Sequence, residues 1–245
     1  MTMAPTTTTS ELDALLARDF TASCAPQLEA YVQAAAAGTA PYHAAAVRRL
    51  IKVYQFVPQQ IKPEILATAC WLTLLQYPNP TDYLAIQHMI PITTMQNDDT
   101  TALIAKAFDH LQACEFTQFW TVYNDLKQCD ALKAYLTKDD NDNDDNNDND
   151  VTVKTLQGKI LQVLALTYKE APASVVLPAL HATKTTTTTT AAAACQGHDD
   201  VVDRVVVTAD TVVFHATKDN TKRQRVYQES LDFQSISALM SKIAQ

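Results

Sequence analysis

The chain has 245 residues, 47% of them hydrophobic, and a formal net charge of −8. That length buries a real core, as one domain or two small ones. The three glycines, Gly38, Gly158 and Gly197, stand too far apart to build a phosphate-cradling loop or a nucleophile elbow, which excludes the common nucleotide-binding enzymes.

The charge is local. Residues 1–138 carry net −3, the tract 139–150 carries net −7 from seven Asp and no base, and residues 151–245 carry net +2. The folded parts are nearly neutral and have no bulk field for nucleic acid or an acidic membrane. Five cysteines, Cys24, Cys70, Cys114, Cys129 and Cys195, are odd in number and scattered. They read as free, mostly buried thiols of a reducing compartment. The start, Met-Thr-Met-Ala-Pro and four Thr, has no signal-peptide pattern. No stretch approaches the ~20 apolar residues of a membrane span.

In chain order, residues 1–9 read as a disordered N-terminus. Ser10 is a candidate N-cap, with Asp13 three residues on, for a helix to about Phe20. Pro26 suits the first turn of a helix through Ala37 that Gly38 ends. Pro41 starts a third, with Val47, Leu50, Ile51 and Tyr54 at helical spacing, and Pro58 stops it. Pro63 opens a fourth with Ile65, Ala69, Leu72 and Leu75 on one face. A short helix from about Thr81 to Ile90 ends before Pro91. Thr100–Gln112 and Glu115–Lys127 form the clearest pair, the second carrying Phe116, Phe119, Trp120 and Tyr123 as a core stripe. Short loops make such helices antiparallel neighbours, so residues 10–138 read as a HEAT-like helical repeat, a short α-solenoid.

Asp139–Asp150 contains only Asp and Asn, cannot bury apolar surface, and reads as a solvated linker. A helix follows from Leu156 to about Lys169, with Leu156, Ile160, Val163, Leu164 and Thr167 on one stripe, and another from Ala173 to His181 after Pro172. Residues 183–198 are a Thr/Ala-rich insertion. Asp199 is a candidate cap for a short helix through Arg204. A β-hairpin then pairs Val205–Thr208 with Thr211–His215 across a turn at Ala209-Asp210, and a helix from Phe233 to Ile243 closes the chain. Helix, helix, helix, hairpin is the order of a winged helix, placed at 151–245. The fold class is mainly α, with a C-terminal winged-helix domain carrying a small β-hairpin.

No constellation carries catalysis. Counted from Asp140 as an EF-hand loop, the sixth residue is Asp145 and the twelfth Val151, where Gly and Glu are needed. Cys195, His198, Asp199 and Asp200 lack the second ligand pair of a zinc site. The six His, at 43, 88, 110, 181, 198 and 215, sit in no nucleophile motif. The expectation is therefore no enzyme, with no catalytic, cofactor or metal site and no small-molecule substrate. Two surfaces remain. Thr211, Val213 and His215 on an exposed edge strand, with Phe233, Ile236, Met240 and Ile243 on the terminal helix, are candidates for protein contact. Lys218, Lys222, Arg223 and Arg225 on the wing are a candidate RNA contact, diluted by Asp219 and Glu229.

Four ordered segments resemble one family. Val53-Tyr54-Gln55-Phe56-Val57-Pro58 resembles the Leu-Tyr-Gln-Phe-Asn-Pro of the subunit k family of eukaryotic translation initiation factor 3. Ala113-Cys114-Glu115-Phe116-Thr117-Gln118-Phe119-Trp120 is similar to its Cys-His-Phe-Gln-Ala-Phe-Trp, and Leu166-Thr167-Tyr168 to its Gly-Ile-Thr-Tyr. Residues 231–240, Leu-Asp-Phe-Gln-Ser-Ile-Ser-Ala-Leu-Met, are similar to its Ile-Asp-Phe-Asp-Ser-Val-Ser-Ser-Ile-Met. The sequence departs from the pattern in both low-complexity tracts and over 182–204.

The resemblance implies a HEAT-like domain and a PCI-related winged helix in a non-catalytic, cytoplasmic scaffold subunit. It implies support of 43S pre-initiation complex assembly and of mRNA recruitment. The implied partners are the factor's other subunits, above all subunit l through the winged helix, and the small ribosomal subunit indirectly, with no membrane. The nearest rivals are a PCI-type subunit of the proteasome lid or the COP9 signalosome. A stand-alone winged-helix nucleic-acid binder is the more distant one.

Overall fold

The computed structural model describes Leu12 and residues 15–17, 22–136, 151–181, 206–207, 211–214, 216–217, 220–221 and 240–241. Leu12 and Leu15 are helical and buried. A short 3₁₀ turn, Ala22–Cys24, leads into α1, Ala25–Ala36, which has Pro26 in its first turn. Gly38 ends that helix as its sequence predicts. Its φ of +74° is left-handed, and its N–H reaches the Ala35 carbonyl at 3.1 Å.

Helix α2, Ala44–Phe56, buries the expected Val47, Leu50, Ile51 and Tyr54. A 3₁₀ turn at Pro58–Gln60 separates it from α3, Pro63–Leu74. The sequence predicts one apolar face for α3. The structure buries Ile65 through Leu74 on every side, because α3 is the central helix and packs against α1, α2, and helices that follow it. A helix apolar all round belongs inside a core.

Next come α4, Thr81–Gln87, and α5, Ile92–Asn97. Helix α6, Asp99–Gln112, begins at an Asp98 cap whose carboxylate accepts the Thr101 N–H at 3.2 Å. Helices α7, Phe116–Leu126, and α8, Asp130–Leu136, complete the arm. Neither α5 nor α8 is foreseen from the sequence. Each has at most seven residues, too few turns for a periodic stripe. Helices α6 and α7 form the closest-packed pair, as expected. Across the arm Trp71 and Tyr123 approach at 5.9 Å between ring centroids, and Tyr83 stacks on Phe108 at 4.0 Å.

The C-terminal module opens with α9, Val151–Thr167, five residues earlier than the sequence stripe suggests. Strand β1, Glu170–Pro172, precedes α10, Ala173–Ala179, so the expected helix stops two residues short of His181. Strands β2, Val206–Val207, and β3, Thr211–Val213, finish an antiparallel sheet of three strands in the order β1-β3-β2. The fold is mainly α with this one small sheet. Buried side chains from Leu12 to Phe214 form one continuous hydrophobic cluster, so arm and module share a core. The turn at Ala209-Asp210, the helix expected at Asp199–Arg204 and both low-complexity tracts lie outside the described residues. Of the terminal helix only Met240 and Ser241 are described, and both are helical.

Candidate interaction surface

The sheet corrects one expectation. Thr211–His215 is read from the sequence as an exposed edge strand, yet Thr211–Val213 is the middle strand. Glu170, Ala171 and Pro172 pair with Val213, Val212 and Thr211 on one side. Val206 and Val207 pair with Val213 and Val212 on the other. The Phe214 N–H extends the first ladder to the Lys169 carbonyl at 2.8 Å. The hairpin is thus part of a sheet of three, and its third strand escapes a sequence reading because a segment with Pro at its end reads as a helix start rather than as a strand. With both sides paired, β3 offers no free ladder to a partner.

Its side chains still have a sidedness. Successive residues of a strand point to opposite faces. Val212 and Phe214 are buried, and Thr211 and Val213 are half-buried on the other face. That outer face also carries Glu170 and Pro172, both exposed and paired in register with them. Met240 is 63% exposed. His215, Phe233, Ile236 and Ile243 lie outside the described residues, as do Lys218, Lys222, Arg223 and Arg225.

A second feature has no counterpart in the sequence reading. Leu166, Tyr168 and Val175 are 44%, 44% and 52% exposed, three large apolar side chains on the module. Tyr168 and Val175 line a cleft of about 330 Å³ whose walls are Cys114–Thr117 from the arm and Val163, Tyr168, Val175 and Pro178 from the module. Sequence offers little signal for it, since Leu166 lies just off the helix stripe and Val175 belongs to a helix of one or two turns.

Specific hydrogen bonds fix the elements around the cleft. The Trp120 indole N–H donates to the Ala179 carbonyl at 2.8 Å, and the same ring stacks on His181 at 5.2 Å. Within the module Gln157 Nε2 donates to the Leu180 carbonyl at 2.8 Å. Lys159 Nζ donates to the Leu75 carbonyl at the end of α3, and burial lowers the pKa of that amine. Asn220 Nδ2 caps the end of α9 by donating to the carbonyls of Ala165 at 2.9 Å and Tyr168 at 3.3 Å. The expected aromatic stripe is core: Phe116, Phe119, Trp120 and Tyr123 are all buried.

Among the described residues no group of three His, Cys, Asp or Glu side chains could hold a metal ion. No disulfide joins the four described cysteines to one another: Cys24 and Cys70 are buried, Cys129 is half-buried, and Cys114 is exposed at the cleft. Among the described residues no helix is long and apolar enough to cross a membrane.

The fold and surface define a mainly helical protein whose helical arm packs on a small sheet-bearing module. No protein-family model matches the chain. It is 31% identical over 94 residues to eukaryotic translation initiation factor 3 subunit K of Culex quinquefasciatus. The matched stretch covers 38% of this chain and 41% of that protein, so the chain spans about two-fifths of the length of the curated relative it matches.

Proposed function

We propose that this chain is a non-catalytic interaction subunit of eukaryotic translation initiation factor 3, related to subunit k. The observation that carries the reading is the 31% identity to a protein named as a subunit of that factor. The module supports it. The order of its described elements, helix, strand, helix, then two strands in a sheet of order β1-β3-β2, supports a winged-helix reading of it. Within 151–245 we assign that PCI-related role, with 10–138 as the HEAT-like arm. Fold alone does not fix function, and the partner assignments rest on the sequence likeness.

The module engages a neighbouring subunit, subunit l in this reading. The surface used is the outer sheet face with Thr211 and Val213, the exposed Leu166, Tyr168 and Val175, and Met240 of the terminal helix. His215, Phe233, Ile236 and Ile243 extend the same surface in this proposal. A stable contact of this kind buries ~800 Å² per side, with a few large side chains carrying most of the energy. The small ribosomal subunit is reached through the other subunits, and Lys218, Lys222, Arg223 and Arg225 are the proposed RNA-facing residues. The working site is the cytoplasm.

Affinity purification of the tagged full-length chain from its own cells tests this, with bound proteins identified by mass spectrometry. Subunits of the initiation factor are expected, and deletion of 205–245 abolishes their recovery. Retention of the full complex by that deletion would overturn the docking site. Recovery of proteasome-lid or COP9 signalosome subunits instead would reassign the chain. Salt-dependent binding of naked RNA by the isolated chain, with no co-purifying subunits, would make it a stand-alone nucleic-acid binder.

A further inference from the structure

A groove of about 630 Å³ runs along the arm between α1 and the start of α3. Pro26 and Ala30 line one side, and Ile61, Pro63 and Ile65 the other. At its base lies Glu29, whose side chain is 7% exposed. Tyr54 donates its hydroxyl to Glu29 Oε1 at 2.8 Å from within the core. Lys62 Nζ donates to Glu29 Oε2 at 2.5 Å, from a side chain that is 59% exposed.

A buried carboxylate is costly unless a cation faces it. Here the fixed partner is the tyrosine behind it. The cation comes from the solvent side, on a residue ahead of α3 with extended backbone. That arrangement lets an outside cation take the place of Lys62. A second carboxylate, Glu64, lines the same groove and is exposed. Among the described residues it forms no ion pair. Two carboxylates and one ammonium leave the groove short of one positive charge.

We propose that this groove binds an arginine-bearing apolar segment of a partner protein, with Lys62 as the internal stand-in on Glu29. A guanidinium is more weakly hydrated than an ammonium and donates in a planar fork, so it suits a half-apolar groove that ends in a carboxylate. The proline and isoleucine walls take the apolar residues on either side of the arginine. A phosphate backbone is repelled by the same two carboxylates. The site consists of arm residues alone and stands independently of the function proposed above.

The full chain is titrated with the capped peptide Ac-Pro-Leu-Arg-Leu-Pro-NH₂ and with its neutral citrulline counterpart, followed by amide NMR shifts. Shifts centred on Glu29, Ala30, Gln33 and Ile65 are expected, with the citrulline peptide about tenfold weaker. Lys62→Gln keeps an N–H donor on a shorter stem but removes the competing charge, so it is expected to tighten binding by about threefold or more. Glu64→Lys weakens binding by about fivefold. Equal binding of the two peptides, no binding, or shifts elsewhere would overturn the proposal. So would unchanged affinity in Lys62→Gln with a native circular-dichroism spectrum. If Lys62→Gln does not fold, Glu64→Lys decides on the same criteria.

Discussion

The arm and the C-terminal module are held together in different ways. The arm has a largely apolar core, with α3 buried on every side and aromatic rings meeting across helices. The module has one long helix, strands of two or three residues, and a seven-residue helix interrupted by Pro178. Elements that short do not stand alone in water. The module takes its rigidity from the arm through the shared core and a few hydrogen bonds, chiefly Trp120 to Ala179 and Lys159 to Leu75. A partner that meets the module therefore meets a surface held in place by the arm behind it.

The largest expected effect comes from removing the ring that joins the two. Trp120→Ala is expected to cost ~3–5 kcal/mol, as is Trp71→Ala within the arm. Both costs are read from urea melts followed by circular dichroism. The comparison is broken if Trp120→Ala leaves the module as resistant to proteolysis as Trp71→Ala does, because only Trp120 bonds to Ala179.

Alkaline pH tests the apolar character of the arm. Burial holds the phenols of Tyr31, Tyr42, Tyr54, Tyr77 and Tyr83 above their ordinary 10.0. It pushes the Cys70 thiol up to about 12 from 9.0. Groups whose folded pKa is raised contribute stability that is intact below their unfolded values and lost as pH rises through the folded ones. Lys159 has the opposite sign, since its lowered pKa makes stability rise as pH climbs toward 10.5. One amine stands against five phenols and a thiol. Thermal midpoints should fall steeply above about pH 10, and the buried phenols should ionise only as the arm unfolds. Phenolate absorbance that titrates fully before the circular-dichroism signal is lost would contradict this.

Smaller effects sharpen the picture of the module. Asn220→Ala removes two donors from the end of α9 and is expected to cost about 1–2 kcal/mol in the same melts. Val175→Asp at the cleft should change stability by no more than about 0.5 kcal/mol. It should nonetheless weaken association with the partner subunit about tenfold. Undiminished co-purification with Val175→Asp would remove the cleft from the interface.

Local chemistry made much of the arm legible. Pro26, Gly38, Pro58 and Pro63 punctuate helices because they fix or free backbone angles whatever surrounds them. The buried rows Val47–Leu50–Ile51–Tyr54 and Phe116–Phe119–Trp120–Tyr123 follow from helical spacing alone. Helices α5 and α8 were not legible, since neither is long enough to repeat a pattern. At the candidate surface the residues of β3 were found but their setting was misread. Whether a strand lies at an edge depends on a partner 41 residues earlier in register, Ala171 opposite Val212.

The sequence by itself determined a mainly helical chain, the order of its longer helices and the apolar stripe of most of them. These are matters of backbone preference and periodicity within a few turns. Tertiary structure alone decided that α3 is central, that Glu170–Pro172 closes one side of the sheet, and that Trp120 ties the arm to Ala179. Each of those depends on which distant segments meet, and burial and hydrogen-bond pairing between segments leave no periodic mark in either segment.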